Sequence, residues 1–166
     1  MAETFSFDVS SKVDLQEVDN ALNQARKEVG QRYDFKNARA DIECDRTNGS
    51  ITLTADDTYK LNALWEIVTT RLVRRQVPVK NFKAEAIEQA AGGAVRQVHT
   101  LQQGIPAEAA REIVKLIKDR KLRKVQASIQ GDQVRVASPS KDELQAVMQI
   151  LREHDFGVTL QFGNYR

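Results

Sequence analysis

Seven cations crowd residues 111–124: Arg111, Lys115, Lys118, Arg120, Lys121, Arg123 and Lys124, opposed only by Glu112 and Asp119. Such a strip can hold phosphate, Lys as a point charge and Arg through planar bidentate contact and stacking on bases. At helical spacing Arg111, Lys115 and Lys118 share one face, opposite Ile113 and Ile117. A second strip, 67–84, carries Arg71, Arg74, Arg75, Lys80 and Lys83 with no acid. Two strips suit a polyanion better than one mononucleotide; the alternative is a pair of solvated helix faces. Arg32-Tyr33-Asp34-Phe35-Lys36 interleaves rings with cations, and Tyr165-Arg166 ends the sequence. A ring beside a cation can stack a base while the cation meets its phosphate. The alternative is that Tyr33, Phe35 and Tyr165 cap hydrophobic cores.

The residues of covalent and metal chemistry are sparse. His99 and His154 have no His, Cys or acidic partner at metal-ligand spacing. Cys44 alternates with Ile42 and Ala40, the setting of a buried small hydrophobe rather than a nucleophile. There is no G-x-x-x-x-G-K-[ST], no G-x-G-x-x-G and no G-x-S-x-G. Gly92-Gly93 lies in an Ala/Gln-rich stretch and reads as a loop. A non-catalytic protein without a metal or other cofactor is expected.

The overall balance conceals these strips. The 166 residues include 25 Lys+Arg and 23 Asp+Glu, a formal charge of +2. Residues 1–66 hold 8 basic and 13 acidic residues, whereas 67–166 hold 17 and 10. No apolar run approaches the roughly 20 residues that span a bilayer. Met1-Ala-Glu-Thr-Phe-Ser6 lacks a basic segment followed by an apolar core, so no secretory signal is expected. The single cysteine excludes an intrachain disulfide. These features predict a cytoplasmic protein with no membrane partner.

The elements that must position the strips follow from periodicity. Phe5, Phe7 and Val9 alternate as a strand. Leu15, Val18, Leu22, Ala25 and Val29 predict a helix over 14–30, opened by an Asp14/Glu17 capping box and stopped by Gly30. Ala40, Ile42 and Cys44 face Ile51 and Leu53 across an Asn48-Gly49 turn. Leu61, Leu64, Trp65, Val68 and Leu72 form a second helix, 77–83 is extended, and 95–102 is a strand. Then the order recurs. Pro106 opens a helix with Ala110, Ile113 and Ile117, and Val125, Ala127 and Ile129 turn at Gly131-Asp132 into Val134 and Val136. Ser140 and Glu143 cap a helix through Leu144, Val147, Met148 and Leu151, and Leu160 and Phe162 close a strand.

Adding 83 maps Ile51, Leu53, Leu61, Leu64 and Val68 onto Val134, Val136, Leu144, Val147 and Leu151. Adding 85 maps Ala40, Ile42 and Cys44 onto Val125, Ala127 and Ile129, and adding 95 maps Leu15, Val18 and Leu22 onto Ala110, Ile113 and Ile117. The fold class predicted is α+β: duplicated ferredoxin-like βαββαβ domains with four-stranded antiparallel sheets, each with one helix-free face. In the second copy the core face is Val125, Ala127, Ile129, Val134, Val136, Leu160 and Phe162. The opposite face is Gln126, Ser128, Gln130, Gln133, Arg135 and Gln161. Arg135 and its Gln neighbours can meet base edges or phosphates, or a second domain. The face lacks the aromatics on which RNA-recognition sheets stack bases.

The stretches Phe5-Ser-Phe-Asp-Val-Ser-Ser-Lys-Val-Asp14, Gln31-Arg-Tyr-Asp-Phe-Lys36, Gln103-Gly-Ile105, Ile113-Val-Lys-Leu-Ile-Lys-Asp119, Val125-Gln-Ala-Ser-Ile-Gln-Gly-Asp-Gln-Val-Arg-Val136, Asp142-Glu-Leu-Gln-Ala-Val-Met148 and Leu160-Gln-Phe-Gly-Asn-Tyr-Arg166 resemble the bacterial YajQ family of nucleotide-binding proteins. The resemblance implies that the two domains exchange first strands. One domain is then 14–103, receiving strand 95–102, and the other is 1–13 plus 104–166, receiving strand 5–9. It also implies cytosolic binding of a nucleotide (GTP, ATP or cyclic di-GMP) or of RNA such as tRNA. On the residues of this sequence, the expected binding set is Arg32, Tyr33, Lys36, Arg111, Lys115, Lys118, Arg135 and Arg166. The alternatives are a cyclic di-GMP-responsive effector acting on a protein or DNA partner, and a protein-interaction adaptor.

Overall fold

A computed structural model describes residues 3–122 and 124–166. Met1, Ala2 and Arg123, the last a member of the 111–124 strip, lie outside the described residues. The chain divides into two compact units, 13–101 and 1–12 with 102–166.

In the 13–101 unit, β2 (Ala40–Cys44), β3 (Ile51–Ala55), β6 (Val95–Leu101) and β4 (Phe82–Ala84) lie side by side in that order, all antiparallel. A two-residue strand, β5 (Glu88–Gln89), pairs with β6 beyond β4, so this sheet holds one strand more than the repeat predicts. Helices α1 (Leu15–Gln31) and α2 (Thr58–Arg74) supply Val18, Leu22, Leu61, Leu64 and Leu72 to a fully buried core with Ile51 and Leu53. Each such side chain contributes about 1.5–3 kcal/mol by leaving water.

In the other unit the order is β7 (Gln126–Gln130), β8 (Gln133–Ser138), β1 (Phe5–Ser10), β9 (Gln161–Gly163). The first strand of the chain thus pairs with two strands from its last third, Phe7 opposite Val136 and Val9 opposite Phe162. Helices α3 (Ala107–Asp119) and α4 (Lys141–Glu153) bury Ile113, Ile117, Val147 and Leu151 against Phe7, Val9, Val134 and Val136. Both units show the predicted duplicated ferredoxin-like α+β architecture.

Local chemistry explains the departures. Asp14 caps α1 by accepting from Gln16 N at 2.9 Å, but Glu17 accepts from Asn20 and Arg75 instead of closing the box. The helix also runs through Gly30 to Gln31. Around residues 77–83 only Phe82 onward is strand, because Val79–Asn81 form a 3₁₀ turn. Ile129, expected on the core face, is 47% exposed at the outer strand of its sheet. Two glycines are fixed by geometry. Gly49 (φ +77°) sits where a Cβ would strike Leu101 and Leu15. Gly104 (φ +78°) sits where a Cβ would strike the side chain of Asp132. Gly104 donates to Ser11 O at 2.7 Å and Ile105 to Asp132 O at 2.9 Å, which ties the Gln103-Gly104-Ile105 stretch to the β7–β8 turn.

Candidate functional site

The predicted binding residues fall into clusters within each unit. In the 13–101 unit, α1 ends at Gln31 and the chain turns through a 3₁₀ turn at Tyr33–Phe35. The turn is pinned by Phe35, which is buried and has the charges of Arg32 and Lys60 each 5.7 Å from its ring centre. Lys60 Nζ also donates to Asp34 O at 2.8 Å. Tyr33 is left 87% exposed. The aromatics of this loop therefore divide: Phe35 serves the core and Tyr33 faces solvent. Arg32, Tyr33, Lys36 and the left-handed Asn37 line a pocket of about 510 Å³.

The two cations of that pocket differ. Arg32 donates to both oxygens of Asp34 (3.0 and 2.9 Å) and to Glu28 at 3.4 Å. Hydrogen bonding from Arg32 lowers the Asp34 carboxyl from its ordinary value and, reciprocally, raises the guanidinium. Lys36 is exposed and, among the described residues, makes no ion pair. Lys36 beside the open ring of Tyr33 is thus the cation free to meet an anion.

In the other unit Arg111, Lys115 and Lys118 stand one turn apart on the solvent side of α3, as their spacing predicts. They line a shallow groove of about 270 Å³ with Val114, Asp119 and Ile129. Among the described residues none of the three makes a salt bridge. Like charges at this spacing cost a few tenths of a kcal/mol per pair in a helix, a cost that a bound polyanion removes.

The remaining predicted residues have partners of their own. Arg135 on the helix-free face donates to Asp8 at 2.9 Å, and Asp8 also accepts from Asn164 at 2.6 Å. Hydrogen bonding from Arg135 holds the Asp8 carboxyl below its ordinary value, against the opposing effect of burial. Arg135 therefore presents less net charge than the sequence suggested. Arg166 exchanges two backbone hydrogen bonds with Ser6 (3.1 and 3.0 Å), and its side chain borders a small cavity with Phe5, Lys141 and Tyr165. Tyr165 is 62% exposed.

Two arginines of the second basic strip are neutralised. Arg71 donates twice to Glu28 (3.0 and 2.8 Å) and Arg75 pairs with Glu17 at 3.5 Å, both acids coming from α1. Counting charge along 67–84 could not reveal this, since the acids lie 43 and 58 residues away. Sequence reasoning missed Lys60, which is 26 residues from the Asp34 it bonds, and it counted Lys121 in the strip but left it out of the expected binding set, although Lys121 lines a larger groove beside β7.

His99 and Cys44 serve packing, whereas His154 is exposed. His99 is 2% exposed and stacked on Trp65, ring centres 3.7 Å apart and planes 6° apart. Among the described residues its Nε2 has no hydrogen-bond partner, and burial pushes its pKa down to about 4. Burial raises the Cys44 thiol above its ordinary value. Among the described residues no helix is long and apolar enough to cross a membrane.

Similarity to known proteins covers the whole fold. The chain is 50% identical over 161 residues to a nucleotide-binding protein of Koribacter versatilis, covering 97% of this chain and 96% of that one. It is 48% identical over 166 residues to a nucleotide-binding protein of Carboxydothermus hydrogenoformans and 47% identical over 166 residues to one of Chloroherpeton thalassium, both chains covered in full. The family described as "Nucleotide-binding protein YajQ-like" matches residues 5–166, through both sheets and all four helices, and the chain belongs to that family.

Proposed function

We propose that the protein is a non-catalytic, cytosolic nucleotide- and RNA-binding protein that holds phosphates through the α3 cations and the Arg32–Lys36 loop. The observation that carries this reading is the row Arg111, Lys115, Lys118, without salt bridges among the described residues and facing a groove. Three cations spaced about 5–6 Å apart on a helix match the repeat of a phosphate backbone better than a single phosphate. The relatives' name supports the ligand class. The positions of His99 and Cys44 support a non-catalytic role, since both side chains are spent in packing.

The test is tRNA binding at several salt concentrations, with and without the triple variant Arg111→Ala, Lys115→Ala, Lys118→Ala. Wild-type affinity should fall steeply with salt, and the variant should bind at least about tenfold more weakly with a salt slope shallower by about 2–3. Affinity that does not change with salt would refute the phosphate-led mechanism.

A second reading, a cyclic di-GMP-responsive effector acting on a protein or DNA partner, is favoured by the other cluster. Tyr33 is an open stacking surface beside Lys36 in a pocket large enough for a nucleobase. It requires saturable binding of cyclic di-GMP, GTP or ATP that Tyr33→Ala weakens by roughly tenfold, the value of one base–aromatic stack. Calorimetry against the three nucleotides separates the readings, because the α3 variant should leave that binding intact.

A further inference from the structure

The repeat places equivalent strands at equivalent sheet edges, and only one is closed. β2 is the outer strand of its sheet, and Arg26 of α1 donates Nε and Nη2 to the carbonyl of Ile42 at 3.1 and 2.9 Å. That strand also carries Asp41 and Glu43. A charge in the strand and a guanidinium on its carbonyl are the devices that keep an edge from pairing with another chain.

The 85-residue offset makes β7 the counterpart of β2, and the 95-residue offset puts Lys121 in the place of Arg26. Helix α3 ends at Asp119, however, so Lys121 lies past its end in a left-handed conformation (φ +54°). Among the described residues no side chain donates to a β7 carbonyl. β7 is Gln126-Ala-Ser-Ile-Gln130, without charge or proline, and Ile129 is half exposed. A groove of about 710 Å³ runs beside it, with apolar walls from Ile117, Leu122, Val125 and Ala127 and cations from Lys118 and Lys121.

We propose that β7 is a docking edge for an extended acidic peptide, which adds as a further strand of the sheet. Backbone groups on the outer side of β7 supply the ladder, the apolar walls take alternate aliphatic side chains, and Lys118 and Lys121 at the groove attract the carboxylates of the peptide. The charge of the groove selects an acidic segment over a neutral or basic one. This inference goes beyond phosphate binding and does not depend on it.

The probe is a blocked nine-residue peptide alternating Glu and Val, added to the full chain and followed by amide hydrogen exchange and NMR titration. Binding should slow exchange at alternate amides within 126–130 and weaken at least tenfold in Lys121→Glu, which lies outside the Arg111–Lys115–Lys118 row. Methylating alternate amide nitrogens of the peptide in the register that faces β7 should abolish binding, and the opposite register should not. Equal binding of both methylated peptides, or shifts confined to α3 side chains, would overturn the proposal. So would concentration-dependent self-association that protects the same amides, since a second copy would then be the occupant, or protection of those amides by tRNA. Weakened tRNA binding in the double variant Arg111→Ala, Lys115→Ala, which leaves Lys118 in place, with peptide binding kept would separate this inference from the phosphate reading.

Discussion

In the 13–101 unit, Arg71 of α2 and Arg75 at its C-terminal cap reach two glutamates of α1, Glu28 and Glu17. In the other unit, three cations of α3 face solvent with no salt bridge among the described residues, and Asp119 is the acid that lines their groove. The same two-layer frame thus contains one basic strip that binds its own chain and one left open. A cation already satisfied must give up its acid before it meets a phosphate, so equal local charge does not mean equal affinity.

Acid should separate the halves most strongly. His99 is neutral in the folded 13–101 unit, with a pKa near 4, against an ordinary value of 6.5 in the unfolded chain. Its folded value is lowered, so the unfolded state takes up the proton first. The stability it supports is intact above pH 6.5 and is lost as the pH falls towards 4, amounting to about 3 kcal/mol. Urea unfolding at pH 7 and 4.5 should show this loss, and His99→Phe should remove most of it while keeping the ring stack on Trp65. An unchanged pH dependence in that variant would show that other groups govern acid unfolding.

A backbone substitution strikes the other half. Gly104→Ala combines a left-handed φ with a collision against Asp132, and should cost about 1–3 kcal/mol. Gly131 is also left-handed but has open space around it, so Gly131→Ala should cost about 1 kcal/mol. Equal losses in denaturant midpoint would mean that the Asp132 contact carries no weight.

The smallest expected effect tests the charge comparison directly. Glu17→Gln with Glu28→Gln frees Arg71 and Arg75, and should raise tRNA affinity about two- to fivefold while lowering stability by about 1 kcal/mol. No gain in affinity would mean that the location of the strip, rather than its neutralisation, decides its silence.

Much of the frame was readable from period alone. The offsets of 83, 85 and 95 residues located paired helices and hairpins, because a core demands apolar residues at fixed spacing. The α3 row was readable for the same reason, since one helix face needs no tertiary information. The pairings that period could not reveal depend on distant partners. Arg135 is tied to Asp8, 127 positions away, and Arg71 to Glu28, 43 positions away. Alternation put Ile129 on the core face, but period cannot tell an outer strand beyond its helix from a covered one. The split between buried Phe35 and exposed Tyr33 likewise depends on Lys60 and on how the 3₁₀ turn is set.

The position of β1 has a consequence for how the protein is made. This strand leaves the ribosome well before the strands beside it, β8 and β9, which are encoded more than 120 residues later. Residues 13–101 form a contiguous stretch and can close their sheet while synthesis continues. Phe7 and Val9, fully buried at the end, must stay exposed through that interval. Closing so long a loop is entropically slow. The nascent chain therefore carries an unpaired apolar strand until β8 and β9 have followed it, a natural ligand for a chaperone and a segment open to mispairing.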